Sequence, residues 1–168
     1  SEPAPVVEVE KIVPVGVDLR GREIAREELE VLACARRRAE AVGVPHCVSC
    51  ANGTDALYIA MVALGVRPGD EVIVPAMSWI STSETVTQAG GKVVFCDVDP
   101  VTYTIDVTQL EGKITPRTVG IIPVHLYGQP LRIREVLELA TAHGVPVVED
   151  CAQAQGATCD GRQVGTFG

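Results

Sequence analysis

The chain has 168 residues, enough for one domain with a real core, and 46% of them are hydrophobic. A net charge of −8 argues against nucleic acid or an anionic membrane as the main partner. No uninterrupted apolar stretch approaches the ~20 residues of a membrane span, and Ser1-Glu2-Pro3 opens neither a basic nor a hydrophobic leader region, so no anchor and no signal peptide are expected.

Residues 1–20 are rich in Val, Pro and Glu and show no clear period, so they read as a tail or an added strand. Arg22 to Val42 reads as an amphipathic helix, with Ile24, Leu29, Leu32, Ala35 and Ala39 loosely on one face and Gly43 as its stop. Its Arg36-Arg37-Arg38 run reads as a solvated face. His46 to Ser49 is expected to be a strand. Asn52-Gly53-Thr54-Asp55 is a loop and helix start, and Ala56 to Leu64 continues as an apolar helix ended by Gly65. After a turn at Arg67-Pro68-Gly69-Asp70, a strand runs from Glu71 to Val74 and closes at Pro75. Ser78 to Ala89 reads as a helix, Lys92 to Cys96 as a strand, and Asp106 to Ile114 as a short helix capped by Asp106. A strand is expected over Val119 to Val124 and a helix over Leu131 to His143, stopped by Gly144. Pro146-Val147-Val148 is a further strand, with Glu149 and Asp150 at its end and a loop of small residues to Gly156. Ala157 to Val164 looks like a hairpin turning at Asp160-Gly161. Strands alternating with helices imply βαβ units and a mostly parallel α/β sheet.

Cysteines stand at 34, 47, 50, 96, 151 and 159, mostly inside apolar runs where a free thiol acts as a small hydrophobe. Cys47 and Cys50 form a lone CxxC with neither a second pair nor suitably spaced His residues, so no metal is expected. Unpaired thiols fit a cytoplasmic setting.

In open α/β sheets, ligands sit outside the carboxyl ends of the strands. Asp150 falls at such an end, where a carboxylate can hold a cationic nitrogen or merely cap the next turn. Asn52-Gly53-Thr54 opens a helix directly after an expected strand, and its free N–H groups either form an anion site or make an ordinary cap. Neither a Walker A motif nor a G-x-G-x-x-G is present. Trp79 is a core aromatic or a flat face for a ring to stack on. His125 and Tyr127 fall at the same edge, whereas His46 and His143 look structural. Four strand ends thus aim Gly53/Thr54, Trp79, His125/Tyr127 and Asp150/Gln153 the same way. A phosphate cradle, an aromatic plate and a carboxylate for a ring nitrogen suit a phosphorylated pyridine.

The runs NGTDAL at 52–57, PGDEVIVPAMSW at 68–79, FCDVDP at 95–100, PVHLYGQP at 123–130 and VVEDCAQAQGA at 147–157 closely resemble the DegT/DnrJ/EryC1/StrS family. Its members are pyridoxal-phosphate-dependent aminotransferases of fold type I, most acting on nucleotide-linked keto-sugars. The resemblance covers Val44 to Gly168, and residues 1–43, a tail and helix, match poorly. It implies an α/β three-layer sandwich with a mostly parallel sheet, part of the large domain of these transferases. It also implies that Gly53 and Thr54 bind the phosphate of pyridoxal 5'-phosphate and that Trp79 stacks on the pyridine ring. Asp150 would pair with the protonated ring nitrogen, and Gln153 would contact the ring oxygen. Gln155 departs from the His often found at its position.

Family aminotransferases hold the cofactor as a Schiff base on a lysine. The lysines here are Lys11, Lys92 and Lys113, and none matches that position, which lies beyond a GTFG-like sequence such as the one ending at Gly168. No catalytic residue is therefore expected in this chain. Residues 44–168 are expected to be a partial cofactor-binding domain, truncated before the lysine and inactive alone. The parent would pass an amino group from an amino-acid donor to a nucleotide-sugar substrate, as a cytoplasmic homodimer. Alternatives are a sugar dehydratase of the same family, with His in place of that lysine, a non-catalytic binding remnant, and a generic nucleotide-binding domain. Uncovered sheet edges and faces would favour self-association.

Overall fold

The computed structural model describes residues 25–168. The tail or strand expected at 1–20, the first residues of the helix expected from Arg22, and Lys11 lie outside the described residues.

Helix α1 spans Arg26–Val42, with Glu27 and Glu28 in its first turn, where acidic groups suit the positive helix end. Gly43 stops it in a left-handed conformation, φ 79°. Its expected apolar face is only partly covered: Ala39 is buried, but Leu32 is 55% exposed. Arg36, Arg37 and Arg38 are exposed, as expected of a solvated face. The strand expected at 46–49 does not form; these residues are exposed and without regular structure, because no described segment pairs with them. Helix α2, Gly53–Ala63, follows, with the Asn52 side chain accepting the Asp55 N–H at 2.9 Å.

Strand β1 (Glu71–Pro75) is the centre of the sheet, and every residue in it is buried. Its continuous apolar run is the pattern of a parallel strand covered on both faces. Strand β2 (Lys92–Cys96) lies parallel on one side, in register from Glu71↔Lys92 to Pro75↔Cys96. Strand β3 (Thr118–Ile121) lies parallel on the other, giving the order β2-β1-β3. The Pro146 segment adds a fourth parallel line beside β3 through bridges at Ile121↔Val147 and Val124↔Asp150. Pro123 has no N–H to donate, so the ladder breaks between these bridges and β3 stops short of the expected Val124.

Helix α3 (Ser81–Gln88) starts three residues after the expected Ser78, leaving Ser78, Trp79 and Ile80 as a loop above β1. Asp106 caps α4 (Val107–Leu110), which continues as a 3-10 turn to Lys113. Helix α5 covers Ile133–His143. Two short strands, β4 (Thr158–Cys159) and β5 (Arg162–Gln163), make the expected hairpin, turning at Asp160 and Gly161 with φ 51° and 77°.

Side chains alternate along β1, so neighbouring residues feed two cores. Ile73 packs with Cys96, Ile121 and Leu110, and with Ile133, Val136 and Ala140 of α5. Val72 and Val74 pack on the opposite face with Met61 of α2 and Val86 of α3. Helices on both faces of a parallel sheet make the expected three layers. Among the described residues, no helix is long and apolar enough to cross a membrane.

The amino edge of the sheet is closed by Glu71, whose side chain is 2% exposed. It accepts from Thr115 Oγ1 at 2.6 Å, Arg117 at 2.8 Å and Lys92 Nζ at 3.1 Å. Hydrogen bonds from Thr115, Arg117 and Lys92 outweigh the burial that opposes them and hold its carboxyl down at about 2.

Candidate active site

The carboxyl ends of the strands open into a cleft of about 980 Å³. It lies where the chain leaves β1 for one side of the sheet and returns to β3 on the other, the expected ligand position in such sheets. Gly53, Thr54, Trp79, Asp150 and Gln153 all line it.

Gly53 and Thr54 form the first turn of α2, whose leading N–H groups have no partner within the helix. Thr54 Oγ1 is 2.7 Å from Ser81 Oγ, which joins the start of α2 to the start of α3. Trp79 is 73% exposed and lines the cleft, so it is not a core aromatic.

Asp150 closes the next turn with one carboxylate oxygen and turns the other toward a hydroxyl at the cleft. Oδ1 accepts the Ala152 N–H at 3.1 Å, closing the next turn. Oδ2 accepts the Thr82 hydroxyl at 3.2 Å. Because that hydroxyl proton is committed to Asp150, the Ser78 hydroxyl, 2.9 Å from Thr82 Oγ1, is the donor in that pair. Ser78, Thr82 and Asp150 thus form one directed chain into the cleft.

Gln153 Oε1 accepts the Tyr127 N–H at 2.8 Å, which turns the amide and leaves its NH₂ available to donate. Tyr127 itself is 71% exposed and does not line the cleft. His125 also departs from expectation: it is fully buried and turned inward. Its Nδ1 accepts the Leu131 N–H at 3.2 Å, which assigns the ring proton to Nε2, 3.1 Å from Glu149 Oε2. Burial alone would raise the Glu149 carboxyl, yet the His125 ring and the N–H groups of Gly165, Gly168 and Phe167 hold it below its ordinary value.

Ligand atoms of His125, Glu149 and Cys151 lie within 4.8 Å of one another, the spacing of a possible metal set. Both ring nitrogens and both carboxylate oxygens are already committed to hydrogen bonds. Burial, then the charges of Glu149 and Asp150, pushes the Cys151 thiol up to about 12, so it is a poor thiolate ligand. Cys96 is likewise pushed up to about 11 by burial. Cys34, Cys47 and Cys50 are exposed free thiols, not the buried ones their apolar runs suggested.

Residues that the sequence reading passed over are Ser78, Ser81, Thr82, Glu149 and Arg38. The signal for the first three was the hydroxyl-rich run Ser78 to Ser83 at a helix start after a strand. Arg38 reaches the cleft from α1 and donates to Gln155 Oε1 at 2.6 Å. Neither Lys92 nor Lys113 lines the cleft.

The donor set suits a phosphorylated pyridine: N–H groups at a helix start, a carboxylate for a ring nitrogen, and an aromatic face. A side chain built on Gly53 would meet nothing within 4 Å, so the chain's own packing leaves the space above it open.

The profile of the DegT/DnrJ/EryC1/StrS aminotransferase family matches residues 19–168. The chain belongs to this family. The match reaches back to residue 19 and takes in α1, further than the motifs from Val44 onward indicated. A UDP-2-acetamido-2-deoxy-3-oxo-D-glucuronate aminotransferase of Pseudomonas aeruginosa is 50% identical over 134 residues, covering 80% of this chain and 37% of that protein. The solved aminotransferase from Psychrobacter cryohalolentis superposes with a TM-score of 0.79 at 39% identity, covering 81% of this chain and 34% of that one. The E. coli GDP-4-keto-6-deoxy-D-mannose-3-dehydratase with bound hydrated PLP superposes with a TM-score of 0.78 at 31% identity, over 82% and 37% of the two chains. The chain therefore spans little more than a third of the length of the curated relatives it matches.

Proposed function

We propose that this chain is the cofactor-binding part of a pyridoxal-phosphate-dependent aminotransferase acting on a nucleotide-linked keto-sugar. One observation carries this reading: Gly53, Thr54, Trp79, Asp150 and Gln153 stand around one cleft at the carboxyl edge of the sheet. The similarity to the Pseudomonas aeruginosa sugar-nucleotide aminotransferase supports the substrate class.

When bound, pyridoxal phosphate supplies an electron sink for negative charge developing beside the transferred nitrogen. The chain's residues place and tune that sink. The N–H groups of Gly53 and Thr54, at the positive end of α2, hold the phosphate. Asp150 holds a proton on the ring nitrogen, and the Ser78–Thr82 hydroxyl chain fixes the carboxylate that does so. The Gln153 NH₂ donates to the ring oxygen, oriented by the Tyr127 N–H on the amide oxygen. Trp79 covers one ring face and keeps water from it. The amine that attaches the cofactor, and most of the sugar contacts, would come from parts of the relatives' length that this chain does not span. Glutamate or glutamine serves as amino donor, and the parent works as a cytoplasmic homodimer.

The test supplies the protein carrying this chain with pyridoxal phosphate, L-glutamate and a UDP- or GDP-linked keto-sugar, and follows the sugar by mass. The amino-sugar nucleotide is the expected product. Unchanged keto-sugar with every donor tried would overturn the reading. A second reading, a sugar dehydratase, is favoured by the likeness to the E. coli dehydratase, and loss of water without gain of nitrogen would select it.

A further inference from the structure

We propose that Glu149 is a positioning residue: held by His125, its carboxylate pins the Gly165–Gly168 turn so that Gln163, Val164 and Gly165 stand as a fixed wall of the cleft. The inference rests on the reading of that cleft as the cofactor site. Glu149 and His125 side chains are 3% and 0% exposed. Each carboxylate oxygen takes two N–H groups. Oε2 accepts from His125 Nε2 at 3.1 Å and Gly165 N at 2.9 Å. Oε1 accepts from Phe167 N at 2.6 Å and Gly168 N at 2.8 Å. Three N–H donors of one turn therefore converge on a buried charge, and such bonds are stronger than neutral ones.

Close packing marks the same turn. Gly165 has φ +82°, and a Cβ there would sit 3.1 Å from Cys151 Sγ. A Cβ at Gly168 would sit 2.7 Å from the Val147 carbonyl oxygen, so the turn lies against the 147–150 segment with room only for backbone. Gln163, Val164 and Gly165 line the cleft with Asp150 and Gln153. The two adjacent carboxylates thus divide their work. Glu149 is saturated by four N–H donors, while Asp150 keeps Oδ2 under a single hydroxyl.

The decisive experiment combines hydrogen exchange with cofactor titration on the protein carrying this chain. Glu149→Gln keeps the size but offers one acceptor oxygen where the carboxylate offers two. Expected results are faster amide exchange in the 160–168 peptide, unchanged exchange in β1 peptides, and pyridoxal phosphate affinity lower by about tenfold or more. Gly165→Ala, which presses the turn away from Cys151 and draws the Gly165 N–H off Glu149 while leaving the carboxylate itself in place, should give the same two changes and serves if the Gln variant does not fold. Unchanged exchange at 160–168, or faster exchange with unaltered affinity, would overturn the inference. A wild-type protein that binds no pyridoxal phosphate would instead overturn the reading of the cleft, and the pin would stand or fall on exchange alone.

Discussion

In the proposed function Asp150 is the partner of the ring nitrogen, a role distinct from the one proposed for Glu149. Asp150→Asn keeps shape and the contact to Thr82 but removes the charge that a protonated ring nitrogen needs. Pyridoxal phosphate affinity should fall about tenfold or more in a binding titration, with exchange at 160–168 unchanged. Glu71 makes a prediction at the opposite edge. Its carboxyl sits at about 2 in the folded chain against an ordinary 4.5. A depressed carboxyl contributes stability above the unfolded value and loses it as pH falls through the folded one. The stability advantage of wild type over Glu71→Gln should thus be constant above pH 4.5 and vanish as pH falls to about 2, read by denaturant melts. Trp79, Asp150 and Gln153 were legible as a cluster because strand ends can be read from local punctuation, and Gly53 was legible from the Asn52 helix-start signal although the strand expected before it does not form. The inward turn of His125 was not, because its partners, Glu149 and the Leu131 amide, are set by the packing of the edge and not by neighbours in sequence.

Secondary-structure elements were legible in the sequence where a short apolar run was bounded by turn residues. Strand β2 forms over the expected Lys92–Cys96, and Asp106 caps α4 as expected. Elements were not legible where pairing partners decide. Residues 46–49 have strand-like composition but no described neighbour, and Pro123 interrupts a run that composition alone extends to Val124. Asn52 is a cap whose worth can be measured. Its side chain accepts the Asp55 N–H at the start of α2. Asn52→Ala should cost about 1 kcal/mol in a denaturant melt. It should also loosen the helix start that carries Gly53 and Thr54, weakening binding of inorganic phosphate.

Across the whole molecule, the described residues bury two cores on one sheet yet leave Trp79, Ile80, Phe95, Ile59 and Val62 between 48% and 73% exposed. Phe95 lies on β2, the strand at one end of the β2-β1-β3 order. Apolar exposure on an edge strand favours association. The 168-residue chain studied alone should therefore self-associate at micromolar concentration by light scattering, and Phe95→Lys should reduce it. A clean wild-type monomer with a cooperative melt would contradict that expectation.

In the proposed function the cleft holds pyridoxal phosphate with its ring against Trp79. The most direct test is a titration of the protein with pyridoxal phosphate, following tryptophan fluorescence in wild type and in Trp79→Phe. A saturable one-site quench in wild type, lost in Trp79→Phe although the cofactor still binds, and weakened in Asp150→Asn, is the predicted result. No saturable change in wild type, or a quench that survives the loss of Trp79 undiminished, would contradict it.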